Sequence, residues 1–143
     1  VYPIVPLDRL DMTPPQLRDA LENVVIDICG DLKLPAFRKD DASGIWCRNG
    51  RLAEVGLAVE SWTSFHGLFL NVSPSVFLQR LVHAPHRERI TSLAAERHSG
   101  NLMHSVRAAL MHRLPARLGY ARHHVYTGHP LLRRTVRPMP ALT

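Results

Sequence analysis

A thiol, an arginine and a histidine stand in the most patterned stretch of this 143-residue chain. Cys47 precedes the turn-forming Arg48-Asn49-Gly50, and Arg51 follows it. A hairpin there would set thiol and guanidinium opposite each other, and a nearby cation favours the thiolate, the nucleophilic form of cysteine. Cys47 is therefore a candidate nucleophile, weighed against an ordinary strand thiol. His66 and Gly67 interrupt an apolar run from Trp62 to Val72, a polar ring beside a residue that admits close approach. By its residues alone His66 reads as a core histidine bonded to backbone. Nine histidines also raise metal binding. His83 and His86 have H-x-x-H spacing, and His123, His124 and His129 cluster further on, but no carboxylate-rich or cysteine-rich set accompanies them. His104 and His112 are two helical turns apart, not one. Solvated or capping histidines are the expectation, with no metal site and no cofactor.

The elements that must position these groups are readable from pattern. "VYPIVPL" (1–7) alternates like a short strand, which its prolines limit to an edge. Residues 13–29 predict a helix. Thr13 caps it, Pro14 opens it, Gln16 completes a capping box, and Gly30 supplies the stop. Leu17, Leu21, Val24, Val25 and Ile28 form its apolar stripe, with Cys29 packing nearby as a small hydrophobe. A polar connector leads to a short strand at 45–47 and a turn at 48–50. Two longer strands follow, 51–60 and 62–72, joined near Ser61. Trp62, Ser64, His66, Leu68 and Leu70 should share one face of the second. Helices are predicted over 73–82, 90–97 and 101–114, the last capped by Asn101 and stopped by Pro115, with a loop over 83–89. A brief strand is expected at 124–127, then a proline- and arginine-bearing tail. Strands first and helices second give an α+β class: a mixed or antiparallel sheet covered by helices 13–29 and 101–114.

Length allows one domain with a real core. Net charge is +6, unevenly distributed. Residues 1–72 carry seven Lys/Arg against ten Asp/Glu, and residues 73–143 carry eleven Arg against two Glu. That asymmetry points to an acidic partner, protein or nucleic acid, or to arginine-rich genome composition, since 16 of the 18 basic residues are Arg. The scattered arginines have few aromatics interleaved for base stacking, which argues against nucleic acid. Two cysteines read as free thiols in a reducing compartment. No apolar run is long enough to span a membrane and no signal peptide is visible. Val1 is not a methionine, so the chain is expected to start inside a larger gene product or after a processed end.

Several separated motifs keep order and spacing. Gly44-Ile45-Trp46 is followed by Arg51, Ala53 and Gly56, then His66-Gly67, Leu70 and Asn71, then Phe77 and Ile90-Thr91-Ser92-Leu93. This series resembles the octanoyltransferases of lipoate synthesis, whose pattern runs GVW, K-x-A-x-x-G, HG-x-x-LN, F, PCG and V/I-T-S-L. "VYPI" at 1–4 resembles the segment after that family's RGG…HGPGQ region. The resemblance implies part of a biotin/lipoate protein ligase-like catalytic domain over 1–119, with a basic tail over 120–143. It implies transfer of an octanoyl group from acyl carrier protein to a lysine on the lipoyl domains of 2-oxoacid dehydrogenase or glycine cleavage proteins. The setting would be a cytoplasmic monomer with no membrane partner. Glu54, Val55, Gly56, His66, Gly67, Leu68 and Phe69 would line the acyl site.

Family members work through a thioester on the PCG cysteine, beside the lysine of K-x-A. Here Arg51 occupies the lysine position and His83 the cysteine position. Arginine keeps a charge but gives up no proton. Histidine can act as a base or a transient acyl acceptor but forms no thioester. Three readings follow: a diverged member that keeps the scaffold for binding an acylated carrier or lipoyl domain, a working acyltransferase with its nucleophile relocated to Cys47, or a separate scaffold or nucleic-acid role for the basic half.

Overall fold

Helix α1, Pro14–Asp31, starts where its capping residues say it should. Thr13 N donates to Gln16 Oε1 at 2.7 Å, and Thr13 Oγ1 accepts from Gln16 N at 3.4 Å. These bonds satisfy backbone and side-chain groups that the first turn leaves open. In this computed structural model, which describes residues 1–75, 77 and 88–125, every residue of the expected stripe is buried. The stop is not Gly30, which lies inside the helix. The chain turns instead at Lys33, left-handed at φ 56, with Lys33 N bonded to Gly30 O and Leu34 N to Cys29 O, both at 2.9 Å. That pair of bonds satisfies the last carbonyls without a glycine.

Four antiparallel strands follow in the order β1-β2-β3-β4: Phe37–Arg38, Ile45–Cys47, Gly50–Glu60 and Thr63–Leu70. β1 lies within the expected connector, and Arg38 ties it to α1 through the buried Glu22 at 2.6 Å. β3 and β4 meet through Ser61 and Trp62, both left-handed (φ 48 and 59), the backbone that two-residue hairpins require. The N-terminal segment runs along the free side of β4. Val1 and Leu68 exchange backbone bonds at 2.8 and 2.9 Å, and Leu7 N reaches Trp62 O at 2.7 Å. Pro3 and Pro6 have no N–H to give. The buried Ser64 hydroxyl fills in, donating to Pro3 O at 2.7 Å and accepting from Val5 N at 3.2 Å. The segment is edge-like, as expected, but only Pro6–Thr63 forms a bridge by itself.

α1 packs on β2, β3 and β4, and its apolar stripe with Val55, Leu68 and Leu52 makes the core. Residues 90–91 are not helical. β4 ends at Leu70, opposite Ala53, so the backbone of Arg51 is open and pairs in parallel with Ile90. Arg51 N reaches Arg89 O at 2.8 Å, and Thr91 N reaches Arg51 O at 3.0 Å. Helix α2 is then only Leu93–Arg97, capped by Ser92. Helix α3, Met103–Arg117, has Leu102 rather than Asn101 at its cap position, and Pro115 lies within it. It ends at Gly119 (φ 80), with Gly119 N on Ala116 O and Tyr120 N on Pro115 O. α3 rests chiefly on α1 as a third layer, instead of covering the sheet as expected. Arg113 and Arg117 hold it there through Asp31 (2.6 Å) and Asp27 (2.7 Å). Residues 124 and 125 form no strand. Most of the expected helix over 73–82, most of the loop with His83, and residues 126–143 fall outside the described residues.

Candidate functional site

β3 and β4 set the expected wall residues side by side: Glu54 opposite Phe69, Val55 opposite Leu68, Gly56 opposite Gly67. Strand alternation then separates them. Val55 and Leu68 are buried in the core under α1, while Glu54, Gly56, His66 and Phe69 are exposed. The seven cannot all line one wall. His66 is left-handed (φ 59) and its side chain does not follow Ser64 and Leu68 inward, so the core-histidine reading does not hold. Gly67 has a different duty. With φ 146, a Cβ there would run into the Pro3 ring and stand 2.6 Å from Val1 O. Its missing side chain admits the protein's own N-terminal segment.

Arg51 is buried, its side chain 11% exposed, and lies between two carboxylates. Its guanidinium meets Glu54 at 3.1 Å and Glu88 at 3.4 Å. The buried Glu88 Oε2 has no hydrogen bond, so Arg51 compensates it by charge alone. Gly44 (φ 87) makes room for this arrangement. A Cβ there would stand 3.2 Å from Arg51 Cδ and closer still to Ala53 O. The Gly44-Ile45-Trp46 and Arg51-x-Ala53 motifs are thus packed against each other.

Cys47 does not face Arg51. It pairs with Gly50, while Arg51 pairs with Trp46, and a register shift between Ile45 and Trp46 sets the offset. The thiol's neighbour is Cys29, on α1. The Cys29 thiol pulls Cys47 below the usual thiol range, against burial and the Glu96 carboxylate. Cys29 is pushed far above that range, first by Cys47 and then by burial. Sequence reasoning missed this pair because helix and strand come together only in the folded core. Cys47 also borders a cavity of about 380 Å³ with Phe37, Trp46, Lys39, Arg48 and Arg89. Lys39 Nζ sits 3.6 Å above the Trp46 ring. Among the described residues, no three His, Cys, Asp or Glu side chains form a metal-holding group.

The matched sequence extends well beyond this hairpin. Residues 1–114 match the lipoyl protein ligase A/B catalytic domain. The chain belongs to the lipoyl protein ligase A/B catalytic-domain family. Its relatives include octanoyltransferases of Geobacter sp. (strain M21), 36% identical over 73 residues, and Syntrophobacter fumaroxidans, 33% identical over 84. A third, from Cellvibrio japonicus, is 37% identical over 71 residues. The matched stretches cover 51, 59 and 50% of this chain, in that order. They cover 36, 37 and 33% of those proteins, so the chain spans about a third of their length.

In this ligase-family domain, much of the basic charge is engaged internally. Arg97 donates to Leu32 O at 2.7 Å, and Arg113 and Arg117 are committed to α1. Among the described residues, no helix is long and apolar enough to cross a membrane.

Proposed function

We propose that this chain is a diverged octanoyltransferase domain that binds an acylated carrier protein or a lipoyl domain and does not use the family's lysine–cysteine chemistry. One observation carries the reading: the residue at the activating lysine's position, Arg51, is neutralised between Glu54 and Glu88. A cation activates a thiol by stabilising its anion. Arg51 spends its charge on two carboxylates, and arginine shuttles no proton. On this reading residues 1–119 are the binding domain, monomeric, and 120–143 a basic extension that contacts an acidic carrier.

The alternative nucleophile also has an observation behind it, since Cys47 is pulled toward thiolate beside a cavity. An octanoyl group would then pass from the carrier's thioester to the Cys47 sulfur and on to a lysine amine, each step releasing one thiol.

Incubation with octanoyl-acyl carrier protein, read by intact mass, separates the two. The scaffold reading expects carrier binding, salt-sensitive and competed by a lipoyl domain, with no octanoyl mass on the chain. A stable octanoyl adduct on Cys47, or octanoylation of an added lipoyl domain, overturns it. Binding to DNA but not to carrier, at matched salt, would assign the basic half to nucleic acid instead.

A further inference from the structure

Cys29 and Cys47 have no part in that binding role, yet the fold brings them together. Cys29 ends the buried stripe of α1, Cys47 closes β2, and α1 packs on β2. Both are free, both belong to one core cluster, and each is the largest influence on the other's ionisation. Their access differs. Cys29 is 0% exposed, while Cys47, 3% exposed, borders the cavity of about 380 Å³. That cavity carries Lys39, Arg48 and Arg89 around Phe37 and Trp46. Among the described residues, the one carboxylate on its wall, Glu88, is already paired with Arg51. Such a cavity suits a small anionic molecule.

We propose that Cys47 and Cys29 are an oxidisable pair, in which a small anionic disulfide enters by this cavity and leaves the two thiols joined as a bridge between α1 and β2. The Cys47 thiolate attacks one sulfur of the reagent. The reagent's S–S bond breaks, and its departing half takes up a proton. Cys29 then loses its proton to solvent and attacks the Cys47 sulfur, expelling the second half as a thiol. The protein gives up two electrons and two protons, and the disulfide becomes two thiols. Cys29 holds its proton most tightly while the Cys47 thiolate is beside it. Forming the mixed disulfide removes that hold and leaves burial as the remaining obstacle, so the adduct on Cys47 comes first.

Oxidised glutathione is the probe, applied to the native chain, with acid quenching, alkylation of remaining thiols and mass analysis. The expected course is a transient glutathione adduct on Cys47, then loss of both free thiols with no glutathione retained, reversed by dithiothreitol. Cys29→Ser should trap the adduct on Cys47, and Cys47→Ser should leave Cys29 unreacted. Lys39→Gln with Arg48→Gln should slow the reaction several-fold with glutathione disulfide and little with neutral hydroxyethyl disulfide. Three wild-type outcomes overturn the proposal: thiols that react only in denaturant, a glutathione adduct that never resolves, or disulfide-linked dimers. None of these readouts uses an acyl substrate, so the result stands whatever the octanoyl experiment gives.

Discussion

Arg51 shows how a substitution that preserves charge can change its use. The guanidinium fork faces two carboxylates at once, where an ammonium is a compact point charge. Arg51→Met leaves the buried Glu88 oxygen with no compensating charge. It should destabilise the chain by about 2–4 kcal/mol in urea unfolding, and Glu88→Gln on top of it should recover part of the loss. Gly67 is equally specific. Gly67→Ala would push a methyl into Pro3 and the Val1 carbonyl. It should cost about 2–3 kcal/mol and raise hydrogen exchange at the Leu68 and Ser64 amides, which bond to that segment. The thiol pair gives a pH signature. Cys47 holds its proton less tightly folded than unfolded, so its contribution is present above the ordinary thiol value of about 9 and lost as pH falls through its lower folded value. Cys29 is the reverse, contributing below about 9 and losing that contribution as pH rises beyond it. Wild-type stability relative to Cys29→Ala should therefore rise with pH toward about 9, the ordinary value of a free thiol. A flat difference across pH 7–10 (roughly the range in which thiols titrate) would remove the interaction.

Helix ends carry the clearest lesson at the scale of elements. α1's start was legible because a capping box is a local arrangement four residues long, and its stripe because burial repeats with the helical period. Its end was not, because Lys33 takes the left-handed conformation that glycine accepts most readily. Lys33→Gly should accordingly raise stability by about 0.5–1 kcal/mol, read as a higher urea midpoint. α3 misleads in the opposite way. Pro115 reads as a stop, yet the helix continues to Arg117 because Gly119, two residues later, supplies the left-handed turn. Pro115→Ala restores a backbone donor and should stabilise by about 1 kcal/mol, less than the cost of a mid-helix proline because the site is in the last turn. At residues 90–91 a helical pattern lost to strand pairing. The open edge of β3 beside Arg51 is a tertiary fact, and Ile90 and Thr91 are β-branched residues that suit it.

Across the whole molecule, the layers are sheet, α1 and α3, and the outer contact is reinforced by two ion-pair sites. Both are partly exposed and screened by solvent, so they locate the layer more than they stabilise it. Asp27→Asn with Asp31→Asn should loosen α3, seen as faster exchange in its amides, while the β3–β4 amides stay protected. The same pairing bears on the basic half. Its formal charge exceeds what it presents, since Arg113 and Arg117 answer the acids of α1. Carrier binding, if electrostatic, should then weaken with salt less steeply than the eleven arginines of residues 73–143 would imply.

By itself the sequence determined the α+β class, the capped first helix with its buried stripe, the presence of the hairpin, and the family pattern that residues 1–114 match. These depend on neighbours in sequence or on spacing, which a linear text preserves. Tertiary structure alone decided who answers each functional group. Arg51 meets Glu88 instead of Cys47, Cys47 meets Cys29 from another element, and Gly67 makes way for Val1 and Pro3. A one-residue shift in the β2–β3 ladder is enough to redirect a thiol away from a cation, because strand side chains alternate and a slip changes what each one faces.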